Sequence, residues 1–204
     1  VKVLVACEYS GVVRDAFLRA GHYAVSCDLL PSESDAGEHY QGDVRDILGK
    51  GWDLMVAHPP CTYLTIAGAS KRAERQKEML EAICFFAELQ RAPIPKIAIE
   101  NPTPFKEVME FVGRYQQKIN PFEFGEPIRK GICLWLKNLP PLFATEIIEV
   151  KPSGSCIRKT GKRAGKKYNY YYHQGKSSKA RARFFPGIAA AMAHQWGQQQ
   201  PTKG

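Results

Sequence analysis

No stretch of this 204-residue sequence approaches the roughly 20 consecutive apolar residues that cross a bilayer, so nothing in it reads as a membrane span. Residues 1–6 lack the charged start and long apolar run of a secretory signal and read as a first β-strand. None of the six cysteines, Cys7, Cys27, Cys61, Cys84, Cys133 and Cys156, stands in a C-x-x-C pair, which argues against a zinc knuckle. No metal site is expected. Several of these cysteines lie inside apolar runs, as buried free thiols do, and a reducing cytoplasm is the simpler setting. Acid is missing from residues 151–204, which carry 12 Lys and Arg, whereas residues 1–150 carry 17 against 20 Asp and Glu. A basic tail on a near-neutral body is the electrostatic footprint of a nucleic-acid binder, although a merely solvated tail has the same composition.

What is present suits one folded domain, expected as a monomer. Hydrophobic residues make up 44% of the chain. Residues 1–7 form an apolar run. Val12, Val13, Ala16, Phe17 and Ala20 follow at helical spacing, and Gly21 sits where a helix C-cap belongs. Strands are expected at 23–27, 53–57, 96–99 and 132–136. Helices are expected at 70–91, which Pro93 and Pro95 stop, at 104–118 and at 188–196. Residues 151–183 read as a loop or small insert. Strands alternating with helices indicate an α/β fold with a mainly parallel sheet, and such sheets bind ligands off the carboxyl ends of their strands.

Chemistry-bearing residues gather at those ends. Tyr9-Ser10-Gly11 follows the first strand, where a turn into a helix can bring backbone close to a ligand or can be an ordinary turn. Asp28 ends the second strand, where an acid commonly accepts from a ribose but can equally cap a turn. Asp43 can meet an adenine amino group or cap the short turn after it. Pro59-Pro60-Cys61 fixes the backbone directly before a thiol, placing it either as a nucleophile or as a core cysteine in a rigid turn. Glu100-Asn101-Pro102 ends another strand, where a partly desolvated carboxyl can donate to a ring nitrogen or make a surface salt bridge.

The order of these segments resembles the DNA cytosine-C5 methyltransferase family, in its compact phage and prophage form, over nearly the whole chain. Pro60-Cys61-Thr62-Tyr63-Leu64-Thr65-Ile66-Ala67-Gly68 is similar to the nucleophile loop and Glu100-Asn101-Pro102 to the Glu-Asn-Val motif. Gly42-Asp43-Val44 is similar to the segment that holds the cofactor's adenine, and Asp28 matches the ribose-binding acid. Phe124-Gly125-Glu126-Pro127-Ile128-Arg129-Lys130 looks like the Tyr-Gly-x-Pro-Gln-x-Arg-x-Arg segment. Glu8 and Ser10 depart from the usual glycines of the first turn. Ile132 stands where the final Arg would be, leaving Lys130 or Arg129 to take its place.

The resemblance implies a Rossmann-like SAM-dependent methyltransferase fold with helices on both faces of the sheet. It implies a core at 1–136, a short target-recognition-like insert at 137–183 and a closing helix within 184–204. The implied catalytic residues are Cys61, Glu100, Asn101 and Lys130. The implied S-adenosylmethionine site comprises Tyr9, Ser10, Gly11, Asp28, Asp43, Val44 and Pro60. DNA is the expected partner, met by the basic insert with Lys159, Lys162, Arg163, Lys166 and Lys167 among Tyr168, Tyr170, Tyr171, Tyr172 and His173. Rival expectations are an amino-methyltransferase built on His58-Pro59-Pro60-Cys61, a degenerate protein that only binds DNA or cofactor, and a C5 modification with an altered cofactor.

Overall fold

The computed structural model of the chain describes residues 1–65, 75–157, 159, 164–171 and 183–198. Its centre is a seven-stranded sheet. The strands are β1 (Lys2–Ala6), β2 (Tyr23–Asp28), β3 (His39–Gln41), β4 (Leu54–Ala57), β5 (Lys96–Asn101), β6 (Gln117–Ile119) and β7 (Ile132–Lys137), in the order β3-β2-β1-β4-β5-β7-β6. The first five run parallel, and β7 is antiparallel to both β5 and β6. Helices cover both faces, and the architecture is a Rossmann-like α/β fold with a mostly parallel sheet.

The strand sequences explain why both faces are covered. Lys2–Ala6 reads KVLVA and Leu54–Ala57 reads LMVA, runs that are wholly apolar and buried once past Lys2. Alternate residues therefore enter two separate cores. Leu4, Met55, Ile97, Ile99 and Trp135 pack with Ile83, Phe86 and Leu89 of helix α2 (Gln76–Arg91) and with Val108 and Val112 of α3 (Lys106–Val112). Val3, Val5, Val56, Ala98 and Leu134 face the other way. They meet Val13 and Phe17 of α1 (Val12–Arg19) and Ile188, Met192 and Trp196 of α4 (Pro186–Trp196). The three tryptophan indoles each donate to a backbone carbonyl, of Ile47, Gly113 and Pro140, so no buried N–H of theirs is wasted.

One expected element is corrected. The helix foreseen over 104–118 stops at Val112, because Gly113 turns the chain with a φ of 76°. The chain then re-enters the sheet as β6, pairing Lys118 with Cys133 of β7. The long helix foreseen from 70 is described from Gln76 onward, and its start lies outside the described residues. Within the basic tail, β8 (Gly154–Ile157) and β9 (Lys167–Tyr170) form a two-stranded antiparallel ribbon. Among the described residues no helix is long and apolar enough to cross a membrane.

Candidate active site

Two loops at the carboxyl ends of β4 and β5 are sewn together. The His58 N–H donates to the Ala6 carbonyl at 2.9 Å, so the chain stays in the sheet one residue past β4. Pro59 and Pro60 then fix the backbone, and a tight turn follows. The Cys61 carbonyl accepts from the Leu64 N–H at 3.1 Å and from the Thr65 hydroxyl at 3.2 Å. From β5, the buried Asn101 amide donates to the Pro59 carbonyl at 2.8 Å. Phe105 N–H donates to the Leu64 carbonyl at 3.0 Å, and Thr65 bridges Pro104. Cys61 is thus presented by a turn bonded within itself and to the loop after β5.

Around this thiol the charges oppose one another. Burial pushes the Cys61 thiol up, the Glu100 carboxylate pushes it further, and the Lys130 ammonium pulls it down. Lys130 also lies over the Phe185 ring, 5.4 Å from its centroid. The neighbouring Arg129 guanidinium sits between Phe122 and Tyr171, 4.8 and 5.1 Å from their centroids. The structure therefore brings Cys61, Glu100, Asn101 and Lys130 to one end of the sheet. It adds His58, whose ring Nδ1 lies 3.3 Å from Glu100 Oε2.

A cavity of about 240 Å³ opens beside them. Its walls are Cys7, Cys27, Leu29, Val44, Pro60 and Phe85, with Asp28 and Asp43 at its polar edges. The Cys7 and Cys27 thiols are pushed to about 12, chiefly by burial and then by Asp28, so they serve as inert apolar wall. Asp28 Oδ1 accepts from the Leu30 N–H at 2.9 Å. Asp43 caps the one-turn 3₁₀ helix Val44–Asp46 through the Arg45 N–H and also holds the Arg45 guanidinium, each at 2.9 Å. That guanidinium lies over the Phe85 ring and pairs with Glu88 at 2.8 Å. Of the residues expected at a cofactor site, Asp28, Asp43, Val44 and Pro60 line this cavity.

Tyr9, Ser10 and Gly11 lie outside the cavity lining, and the reason is Glu8. Its buried carboxylate accepts from the amides of Val13 at 2.7 Å and Arg14 at 3.2 Å, while Ser10 donates to it at 3.3 Å. The positive end of α1, which a glycine-rich turn would leave for a ligand, is filled by the chain's own anion. Gly11 provides the turn with a φ of 75°. Tyr9 accepts at its carbonyl from Glu33, and Glu33 pairs with Arg183 at 2.8 Å. Beneath them the fully buried Arg14 guanidinium donates to Asp15 at 2.8 Å, Ser26 at 3.1 Å and the Ser34 carbonyl at 2.9 Å. It thereby pins the connection between β2 and β3 over this end of the sheet.

No family model matches the sequence, and no curated protein does. Among solved structures, a DNA modification methyltransferase encoded within a prophage (E. coli) aligns with 14% identity and a TM-score of 0.46, over 67% of this chain and 46% of its own. A DNMT2 mutant from Spodoptera frugiperda aligns with 15% identity and a TM-score of 0.41, over 72% and 54%. WbdD in complex with a kinase inhibitor aligns with 11% identity and a TM-score of 0.37, over 88% and 46%. The chain spans about half the length of each.

Proposed function

We propose that this chain is the catalytic module of a SAM-dependent DNA cytosine-C5 methyltransferase. The observation that supports the proposal is Cys61 at the end of β4, on a proline turn that Asn101 of β5 locks, with the Glu100 and Lys130 charges acting on its thiol in opposite directions.

The chemistry follows from what each group can do. The cytosine leaves the stack, because its C6 atom is out of reach inside a duplex. The Cys61 thiolate forms a bond to C6, and the electron pair of the C5–C6 double bond moves toward C5. Glu100 hydrogen-bonds or protonates N3 and so draws charge off the ring as it develops. Lys130 favours the thiolate before attack. When bound, S-adenosylmethionine would supply the electrophilic methyl group for C5, its sulfonium–methyl bond breaking to leave the neutral thioether. Loss of the C5 proton to a base then restores the double bond and breaks the bond between sulfur and C6. A thiolate suits this cycle because it both adds and leaves readily.

The residues fit part of S-adenosylmethionine. The apolar slot with Asp28 and Asp43 at its edges suits an adenosine. The amides of α1 do not suit its carboxylate, because Glu8 already occupies them. The exposed basic residues Lys159, Lys166 and Lys167, with Tyr168, Tyr170 and Tyr171, are the proposed DNA-facing set. Lys162, Arg163, Tyr172 and His173 belong to the same proposal but lie outside the described residues. The core at 1–136, the insert at 137–183 and the closing segment at 184–204 are proposed as the corresponding division of labour.

Trapping on DNA containing 5-fluorocytosine tests the proposal. With S-adenosylmethionine present, the intact protein is expected to form a denaturation-resistant adduct, and Cys61→Ala none. Intact binding of DNA and cofactor without an adduct overturns the C5 mechanism. A Cys61→Ala protein that still methylates DNA assigns transfer to an exocyclic amine instead.

A further inference from the structure

The mechanism above leaves His58 without a task, yet the structure spends considerable effort on it. Ala57 of β4 pairs with Ile99 of β5, so His58 and Glu100 are the next neighbours on two parallel strands and share a face of the sheet. Both side chains are nearly buried, 12% and 13% exposed. The His58 ring packs on Phe184 with centroids 4.6 Å apart, and its Nδ1 faces Glu100 Oε2 at 3.3 Å, a long contact for an N–H and a carboxyl oxygen. Its Nε2 is buried and meets no hydrogen-bond partner among the described residues.

These contacts fix the tautomer. Among the described residues a proton on Nε2 has nothing to receive it, whereas a proton on Nδ1 is received by Glu100, and a bare ring nitrogen is the cheaper atom to leave unmet. The terminal torsion of a glutamate is broad and nearly two-fold, so an unsupported carboxyl rotates and places its acid proton on either oxygen. We infer that His58 is a positioning residue for Glu100, an inference that rests on the C5 mechanism proposed above. Its Nδ1–H donates to Oε2 and makes that oxygen the acceptor. Oε1 is then the oxygen that carries the proton toward N3 of the base. Phe184 walls the outer face of the imidazole and stops it turning away.

Side-chain reach makes the idea testable. An asparagine at 58 places its amide N–H near the position of Nδ1, whereas a glutamine places it near Nε2. His58→Asn, His58→Gln and His58→Ala are compared with the unmutated protein for adduct formation on 5-fluorocytosine DNA and for kcat and KM of methyl transfer. His58→Ala and His58→Gln are expected to lose about 10²-fold in kcat with KM for DNA held, and His58→Asn to recover most of the loss. In a Glu100→Gln background, His58→Ala is expected to cost nothing further. Equal activity of the Asn and Gln variants, or an undiminished cost in the Glu100→Gln background, overturns the inference even where a variant melts earlier. No adduct from the unmutated protein overturns the C5 mechanism itself and this inference with it.

Discussion

Burial first, and then the opposed charges of Glu100 and Lys130, set the pH at which Cys61 reacts. Burial and Glu100 raise the thiol and Lys130 lowers it, so at neutral pH the resting site holds a thiol and attack strengthens as pH rises. Removing one charge at a time separates the two. Lys130→Gln should move the midpoint of Cys61 alkylation by iodoacetamide to higher pH, and Glu100→Gln should move it to lower pH. The readout is the mass of the Cys61 peptide, because five other thiols are free, two of them exposed. Midpoints that stay together in both variants would remove Lys130 from the site. The neighbours of Cys61 were only partly legible in sequence. Pro59-Pro60-Cys61 and Glu100-Asn101 each announced a strand end, but nothing in either segment says that His58 and Glu100 share a register. That follows only once β4 and β5 are known to be adjacent and parallel.

At the scale of an element, α1 carries its own counter-ion. An uncapped helix N-terminus leaves several amides without partners, and Glu8 answers two of them from the end of β1. Glu8→Ala should cost about 0.5–2 kcal/mol, the range for loss of an N-cap side chain. The measurement is the urea midpoint at pH 7, and an unchanged midpoint would show that water replaces the carboxylate at no cost. The sequence placed α1 well, because Val13, Ala16 and Phe17 repeat at helical spacing on one face. The role of Glu8 was hidden. It lies in a strand-to-helix turn where glycine was expected, and its partners are backbone amides, which leave no trace in a sequence. Arg14 was hidden for a related reason. It stands beside Asp15 like a surface pair, yet its guanidinium is fully buried and donates to Ser26 and Ser34. The same limit explains 104–118. Apolar spacing persists through Val112, and the short strand after Gly113 takes its identity from pairing with β7, a contact distant in the chain.

Across the whole molecule, the sheet puts Cys61, Glu100 and the Asp28–Asp43 cavity at one end, and α4 packs behind it against α1. The segment that reaches α4 passes this end. Phe184 lies on His58, Phe185 under Lys130, and Arg183 on Glu33 of the β2–β3 connection. Gly187, in the first turn of α4, lies so close to Phe124 that a side chain there would strike its carbonyl, while its N–H donates to Glu126 at 2.9 Å. The excess of positive charge that a polyanion would meet lies in the tail. The body at residues 1–150 is net acidic, and residues 151–204 hold cations only. If the basic ribbon grips DNA through phosphates, affinity must fall steeply with salt, and the slope counts the contacts. Each lysine seated on a phosphate contributes about 0.9 to the slope of log K against log salt on duplex DNA. Lys159→Gln, Lys166→Gln and Lys167→Gln combined should flatten that slope by up to about 2.7. They should weaken all DNA sequences alike and leave the pH midpoint of Cys61 alkylation where it was. A slope unchanged by the triple substitution would put the phosphate contacts elsewhere. A loss confined to some DNA sequences would mean that these lysines read bases, a role that phosphate contacts cannot perform.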